Sequence, residues 1–129
     1  MLRVAIADDN VAVRTTIRKF LDSLESIEVV FEAKNGREAI EGVQQQQPDI
    51  LVMDIRMPKL DGLAATRQIV DQSLSTRVIL ISAFTGIAAV PAAKEAGAYG
   101  FVSKDDLIKL LPVAIEVVSQ GDYYFQEES

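Results

Sequence analysis

The sequence predicts an α/β domain built on a parallel sheet of five strands, with helices on both faces. Three observations carry this. Short apolar stretches alternate with longer stretches of helical periodicity, strand then helix, five times along the chain. The central strand candidate, residues 50–53 (I-L-V-M), is apolar at every position, as a strand buried on both faces must be. Turn and breaker residues such as Asn35-Gly36, Pro48 and Asp61-Gly62 stand at the joints. Strands alternating with helices in this way are joined by right-handed crossovers.

Residues 2–7 (L-R-V-A-I-A) read as the first strand, ended by Asp8-Asp9-Asn10. Val13, Ile17, Phe20, Leu21 and Leu24 recur at helical spacing, which predicts an amphipathic helix over 10–25, with Asp9 or Asn10 as its cap. Residues 27–33 alternate with Glu28 and Glu32 and predict a second, less buried strand. A helix over 37–47 presents Ala39, Ile40 and Val43 inward and stops at Pro48. The third strand ends on Asp54, and a helix over 62–72 follows with Leu63, Thr66 and Val70 inward or nearly so. Residues 77–83 are the fourth strand. The helix over 88–96 contains Pro91, so it either begins near that residue or is irregular before it, and Gly97 ends it. Residues 99–103 are a short fifth strand. Asp105 or Asp106 starts a last helix to about 120, which Pro112 should kink unless the helix starts late. Residues 122–129 read as a polar, aromatic-bearing tail without a core pattern. Its Tyr123, Tyr124 and Phe125 either face a partner or cover the end of the last helix.

Composition narrows the chemistry. A chain of 129 residues, 49% hydrophobic and 25% charged, suits one domain with one core. No apolar run is long enough to span a membrane and no signal peptide is evident, so a cytoplasmic location without membrane association is expected. Cysteine and histidine are both absent, which excludes disulfides, thiolate chemistry, the common zinc ligands and a Ser-His-Asp triad. Chemistry must rest on carboxylates, hydroxyls, lysine or a metal. The net charge of −6 opposes direct binding to DNA or anionic membrane by this segment.

In folds of this class, sites gather at the carboxyl ends of the strands. The residues expected there are Asp8 and Asp9, Asp54, Ser82 and Lys104. Each alone is explicable as a cap, turn residue or surface charge. Their convergence on one edge is not. Carboxylates brought to ~4 Å repel by about 4 kcal/mol per pair at an effective dielectric of ~20, so they take up protons or hold a cation. A hard divalent ion with oxygen ligands, Mg²⁺, is the natural occupant. With a lysine ammonium and a serine hydroxyl beside it, such a cluster suits phosphoryl transfer to a carboxylate.

On these residues the chain resembles the receiver domain of two-component response regulators over nearly its whole length. The matching motifs are Asp8-Asp9, D-I-R-M-P-K-L-D-G from Asp54, L-I-S-A around Ser82 and G-F-V-S-K-D ending on Lys104-Asp105. The resemblance implies a flavodoxin-like (βα)5 fold with strand order 2-1-3-4-5, a receiver over 1–121, and a tail or linker start over 122–129. It implies Asp54 as phosphoacceptor for a sensor histidine kinase. Mg²⁺ would be held by Asp9, Asp54 and the Arg56 backbone carbonyl, with Asp8 acting mostly through water. Ser82 and Lys104 would bind the phosphoryl group, and Ser82 and Phe101 would move together as the switch. Simple core packing is an equal and compatible role for Phe101.

Lys104-Asp105, D-I-R-M-P and the stretch A-I-E-V-V-S-Q-G-D-Y-Y-F resemble the NarL/FixJ-type branch. That branch implies a C-terminal helix-turn-helix domain, absent from this chain, which would bind DNA and control transcription, often through a homodimer. Lys59 stands where that pattern often has glycine. It is either a charge beside the phosphorylation loop or a solvated lysine. The resemblance implies a regulator rather than an enzyme, apart from its own phosphorylation and dephosphorylation. The alternatives are a stand-alone regulator acting by protein contact, an Mg²⁺-dependent aspartyl-phosphate phosphohydrolase and a phosphate-independent receiver.

Overall fold

A computed structural model describes residues 1–72, 74–83 and 88–126. The elements run β1 (Leu2–Ala7), α1 (Val11–Asp22), β2 (Ile27–Ala33), α2 (Gly36–Gln46), β3 (Ile50–Asp54), α3 (Gly62–Asp71), β4 (Arg77–Ser82), α4 (Ala89–Ala96) and β5 (Gly100–Ser103). A 3₁₀ turn (Lys104–Asp106), α5 (Leu107–Ser119) and a two-residue β6 (Tyr124–Phe125) complete the chain. The strands form one sheet in the order β2-β1-β3-β4-β5-β6, and every neighbouring pair is parallel. The five expected strands keep the expected order, and β6 is added at the edge.

The side-chain period of a strand splits the core into two layers. Ala5, Ala7, Leu51, Met53, Val78, Leu80 and Phe101 pack against buried residues of α2, α3 and α4 on one face. Val4, Ile6, Ile50, Val52, Ile79, Ile81 and Val102 pack against α1 and α5 on the other. This is why residues 50–53 are apolar at every position. Each fully buried Leu or Ile stabilises the fold by about 1.5–3 kcal/mol. Among the described residues, no helix is long and apolar enough to cross a membrane.

The helix ends follow local chemistry. Asn10 caps α1 by accepting the N–H groups of Ala12 and Val13. Asn35 and Asp61 cap α2 and α3 in the same way. Pro91 falls in the first turn of α4, where its missing N–H has no intrahelical acceptor to lose. Gly97 closes α4 at φ 96°. α5 continues through Pro112, beside a stripe on which Ile108 and Val113 are exposed. Water there can serve the carbonyl that the proline leaves unbonded.

The last helix begins as expected, with Asp106 at the N-cap position of α5 though without a side-chain cap bond, and Ser103 caps the 3₁₀ turn before it by accepting the Asp105 N–H at 3.2 Å. Two expectations are corrected. Val70 faces outward, 48% exposed, while Ala65, Thr66 and Ile69 form the inner face of α3. The expected tail carries core-directed residues. Tyr124 packs on the α1/α5 layer and Phe125 on the opposite layer, an alternation too short to read as a strand in sequence. Tyr123 is 64% exposed and stacks on Tyr99, with ring centroids 4.6 Å apart. Residues 127–129 of the expected tail lie outside the described residues.

Candidate functional site

The carboxyl ends of β1, β3, β4 and β5 bring together Asp8 and Asp9, Asp54, Ser82 and Lys104. Asp8 is wholly buried, Asp54 is 6% exposed, and Asp9 faces solvent. One carboxylate oxygen of each lies within 4.8 Å of the others. The Lys104 ammonium sits between two of them, 2.7 Å from Asp8 Oδ2 and 3.3 Å from Asp54 Oδ2. Asp8 Oδ1 accepts the Asn10 N–H at 2.9 Å. Asp8 Oδ2 is buried, and among the described residues its partner is the Lys104 ammonium at 2.7 Å.

The Lys104 ammonium therefore pairs with two buried carboxylates, and a third, that of Asp9, stands beside them. Burial raises the pKa of Asp54 above the usual carboxylate value, and the charge of Asp8 adds to this, against the opposing pull of Lys104 and the Arg56 N–H. Burial acts to lower the pKa of Lys104, but its bond to Asp8 and the charge of Asp54 outweigh it and leave the value raised. An all-oxygen cluster of three close carboxylates, two of them buried, fits a hard divalent cation. Asp8, Asp9 and Asp54 are the residues that could hold it.

The loop after Asp54 is shaped by close contacts. The Gly62 N–H donates to the Ile55 carbonyl at 2.7 Å. A Cβ at Gly62 would stand 2.2 Å from the Asp54 carbonyl oxygen, so only glycine lets α3 begin against that peptide. A Cβ at Gly36 would meet the Leu60 carbonyl oxygen at the same distance. Between them, Lys59 adopts φ 68°, the left-handed region that favours glycine. That angle is the physical reason glycine suits position 59. The Arg56 N–H bonds the Asp54 carboxylate, which puts the Arg56 peptide at the site while its side chain is exposed.

The strand register brings in the remaining expected residues. Asp54 pairs with Ile81, so Ser82 stands one residue further along the neighbouring strand, 3% exposed. Phe101 is 1% exposed in the α2/α3/α4 layer, paired with Leu80. Its burial satisfies the packing role and leaves the switch role to be tested.

Two residues near the site were not singled out in the sequence. Arg14, one turn into α1, donates from Nη1 to the Asp8 carbonyl at 2.6 Å and holds the end of β1. In sequence it is one more arginine on an amphipathic helix. Gln126 donates to Asp106 and accepts from the Ser103 N–H, on either side of Lys104. No periodicity marks it.

Comparison with known proteins accords with this geometry. The family model described as "Response regulator receiver domain" matches residues 4–116. The transcriptional regulatory protein LnrK of Bacillus subtilis (strain 168) is 34% identical over 121 residues, covering 94% of this chain and 55% of LnrK. The chain thus spans little more than half the length of that relative. A protein-glutamate methylesterase/protein-glutamine glutaminase of Archaeoglobus fulgidus is 40% identical over 121 residues, which are 91% of this chain and 34% of that enzyme. Among solved structures, the signal receiver domain of the putative response regulator NarL from Mycobacterium tuberculosis superposes with a TM-score of 0.89 at 34% identity. It covers 93% of this chain and 97% of that one. With the parallel sheet, the acidic edge and these matches in hand, the chain belongs to the response regulator receiver domain family of two-component systems.

Proposed function

We propose that this receiver accepts a phosphoryl group on Asp54 from a sensor histidine kinase, with Mg²⁺ at the Asp8, Asp9 and Asp54 carboxylates. The observation that carries the reading is the placement of the Lys104 ammonium between Asp8 and Asp54 beside a third carboxylate. In the step itself, an Asp54 carboxylate oxygen attacks phosphorus and the P–N bond of the donor phosphohistidine breaks. The leaving imidazole takes a proton from solvent. Lys104 pairs with the phosphoryl oxygens and Ser82 donates a hydrogen bond to them. Asp9, Asp54 and the Arg56 carbonyl would bind the ion directly, and Asp8 mostly through water. When bound, Mg²⁺ supplies positive charge to the equatorial phosphoryl oxygens.

The output reading rests on the relatives. The chain acts as a regulator rather than an enzyme, with residues 1–121 as the receiver and 122–129 leading toward an output domain. By analogy with LnrK, a transcriptional regulatory protein, that output is DNA binding and transcription control, reached through movement of Ser82 and Phe101 and through homodimer formation. The test is incubation with acetyl phosphate, with and without Mg²⁺, beside Asp54→Ala, read by intact mass and gel filtration. The expected result is one Mg²⁺-dependent phosphoryl group, lost in the variant. Uptake that persists in Asp54→Ala refutes the assignment.

A further inference from the structure

After α5 the chain turns back at Gly121, φ 91°, and lays β6 along the open edge of β5. The Tyr124 N–H donates to the Tyr99 carbonyl and the Gln126 N–H to the Phe101 carbonyl, each at 2.9 Å. The approach depends on a missing side chain, since a Cβ at Gly100 would stand 2.8 Å from the Tyr124 carbonyl oxygen. Past β6, the Gln126 carboxamide makes two bonds to the turn that carries Lys104. Its Oε1 accepts the Ser103 N–H at 2.8 Å, and its Nε2 donates to Asp106 Oδ2 at 2.7 Å. Ser103 and Asp106 flank Lys104 in sequence. One side chain therefore braces both ends of the segment whose lysine contacts Asp8 and Asp54.

We propose that Gln126 is a positioning residue for Lys104, so that docking of β6 on β5 sets the reactivity of Asp54. The proposal rests on the phosphoacceptor reading of Asp54. Without Gln126, the Ser103 N–H loses its acceptor and Asp106 a donor, and the 3₁₀ turn can shift away from the acidic edge. Coupling of this kind is reciprocal. A phosphoryl group that draws Lys104 toward Asp54 acts on Gln126 in turn, and so on the strand that leads out of the domain. A two-residue strand is a low-cost element to release, and Tyr123 at its start is largely exposed.

The experiment measures the phosphorylation rate of the 129-residue chain at saturating acetyl phosphate and Mg²⁺, by intact mass, with the thermal midpoint recorded for each variant. Gln126→Ala is expected to react about fivefold more slowly, the worth of one net hydrogen bond. Gln126→Glu sets two carboxylates against each other and is expected to be at least as slow. The double variant Gln126→Glu with Asp106→Asn exchanges donor and acceptor, keeps the Ser103 bond, and is expected to recover most of the wild-type rate. In a Lys104→Met background, Gln126→Ala is expected to cause no further slowing, because its effect passes through the lysine. A wild-type rate in Gln126→Ala, no recovery in the exchanged pair, or undiminished slowing without Lys104 would each overturn the proposal. Failure of the wild-type protein itself to gain a phosphoryl group would overturn the Asp54 reading, and this one with it.

Discussion

Asp54→Asn is expected to make the metal-free protein more stable, although it removes a partner of Lys104. The magnitudes decide the sign. The carboxylate oxygens of Asp8, Asp9 and Asp54 lie within 4.8 Å of one another. At an effective dielectric of ~20, each such repulsion is worth about 3.5 kcal/mol, and exposure of Asp9 screens its share. The attraction lost, from Asp54 to the ammonium 3.3 Å away, is about 5 kcal/mol on the same scale. The Coulomb contributions thus nearly cancel, and the cost of burying the Asp54 charge is left to determine the result. Burial is also the leading cause of the raised Asp54 pKa. Asparagine keeps the shape and an acceptor for the Arg56 N–H. The expected gain is about 1–2 kcal/mol, a rise in thermal midpoint on the order of 5 °C.

The pH dependence has a definite sign. A carboxyl whose folded pKa lies above its ordinary 3.8 binds more protons in the folded state between the two values. Stability from this group therefore falls as pH rises through that window. The gain from Asp54→Asn should accordingly shrink as pH falls toward 4. Added Mg²⁺ should invert the order, since a ligand at 100-fold its Kd stabilises the wild type by about 2.7 kcal/mol and the variant by less. The assay is thermal or urea unfolding of both proteins in chelator and in Mg²⁺, across pH. A variant less stable than wild type in chelator at neutral pH, or an equal Mg²⁺ gain in both, would refute the reasoning.

Two further substitutions test the loop beside Asp54. Gly62→Ala forces a Cβ against the Asp54 carbonyl oxygen, 2.2 Å away, and should cost about 1–3 kcal/mol in urea unfolding. An unchanged midpoint would show that α3 can move back freely. Lys59→Gly relieves a left-handed residue at φ 68° and should gain about 0.5–1 kcal/mol, after the entropic cost of glycine. A loss of stability would mean that the Lys59 side chain makes contacts that outweigh the backbone strain.

What the sequence determined by itself is the set of elements and the edge on which the site lies. Strand period, helix period and breaker residues are local properties, and the polypeptide writes them within a dozen residues. The continuous apolar run at 50–53 already required two covered faces, and the two core layers supply them. Asp8, Asp9, Asp54, Ser82 and Lys104 could be placed together because a parallel βα repeat sends every strand's carboxyl end to one side. Only tertiary structure decided which carboxylates are buried, that Lys104 lies between Asp8 and Asp54, and that Gly62 must lack a side chain. Those facts depend on contacts between residues far apart in the chain, whose distances no local pattern encodes. The same holds for β6 and Gln126. Two paired residues are too few to carry a period, and their docking is set by a bare glycine edge 24 residues earlier at Gly100.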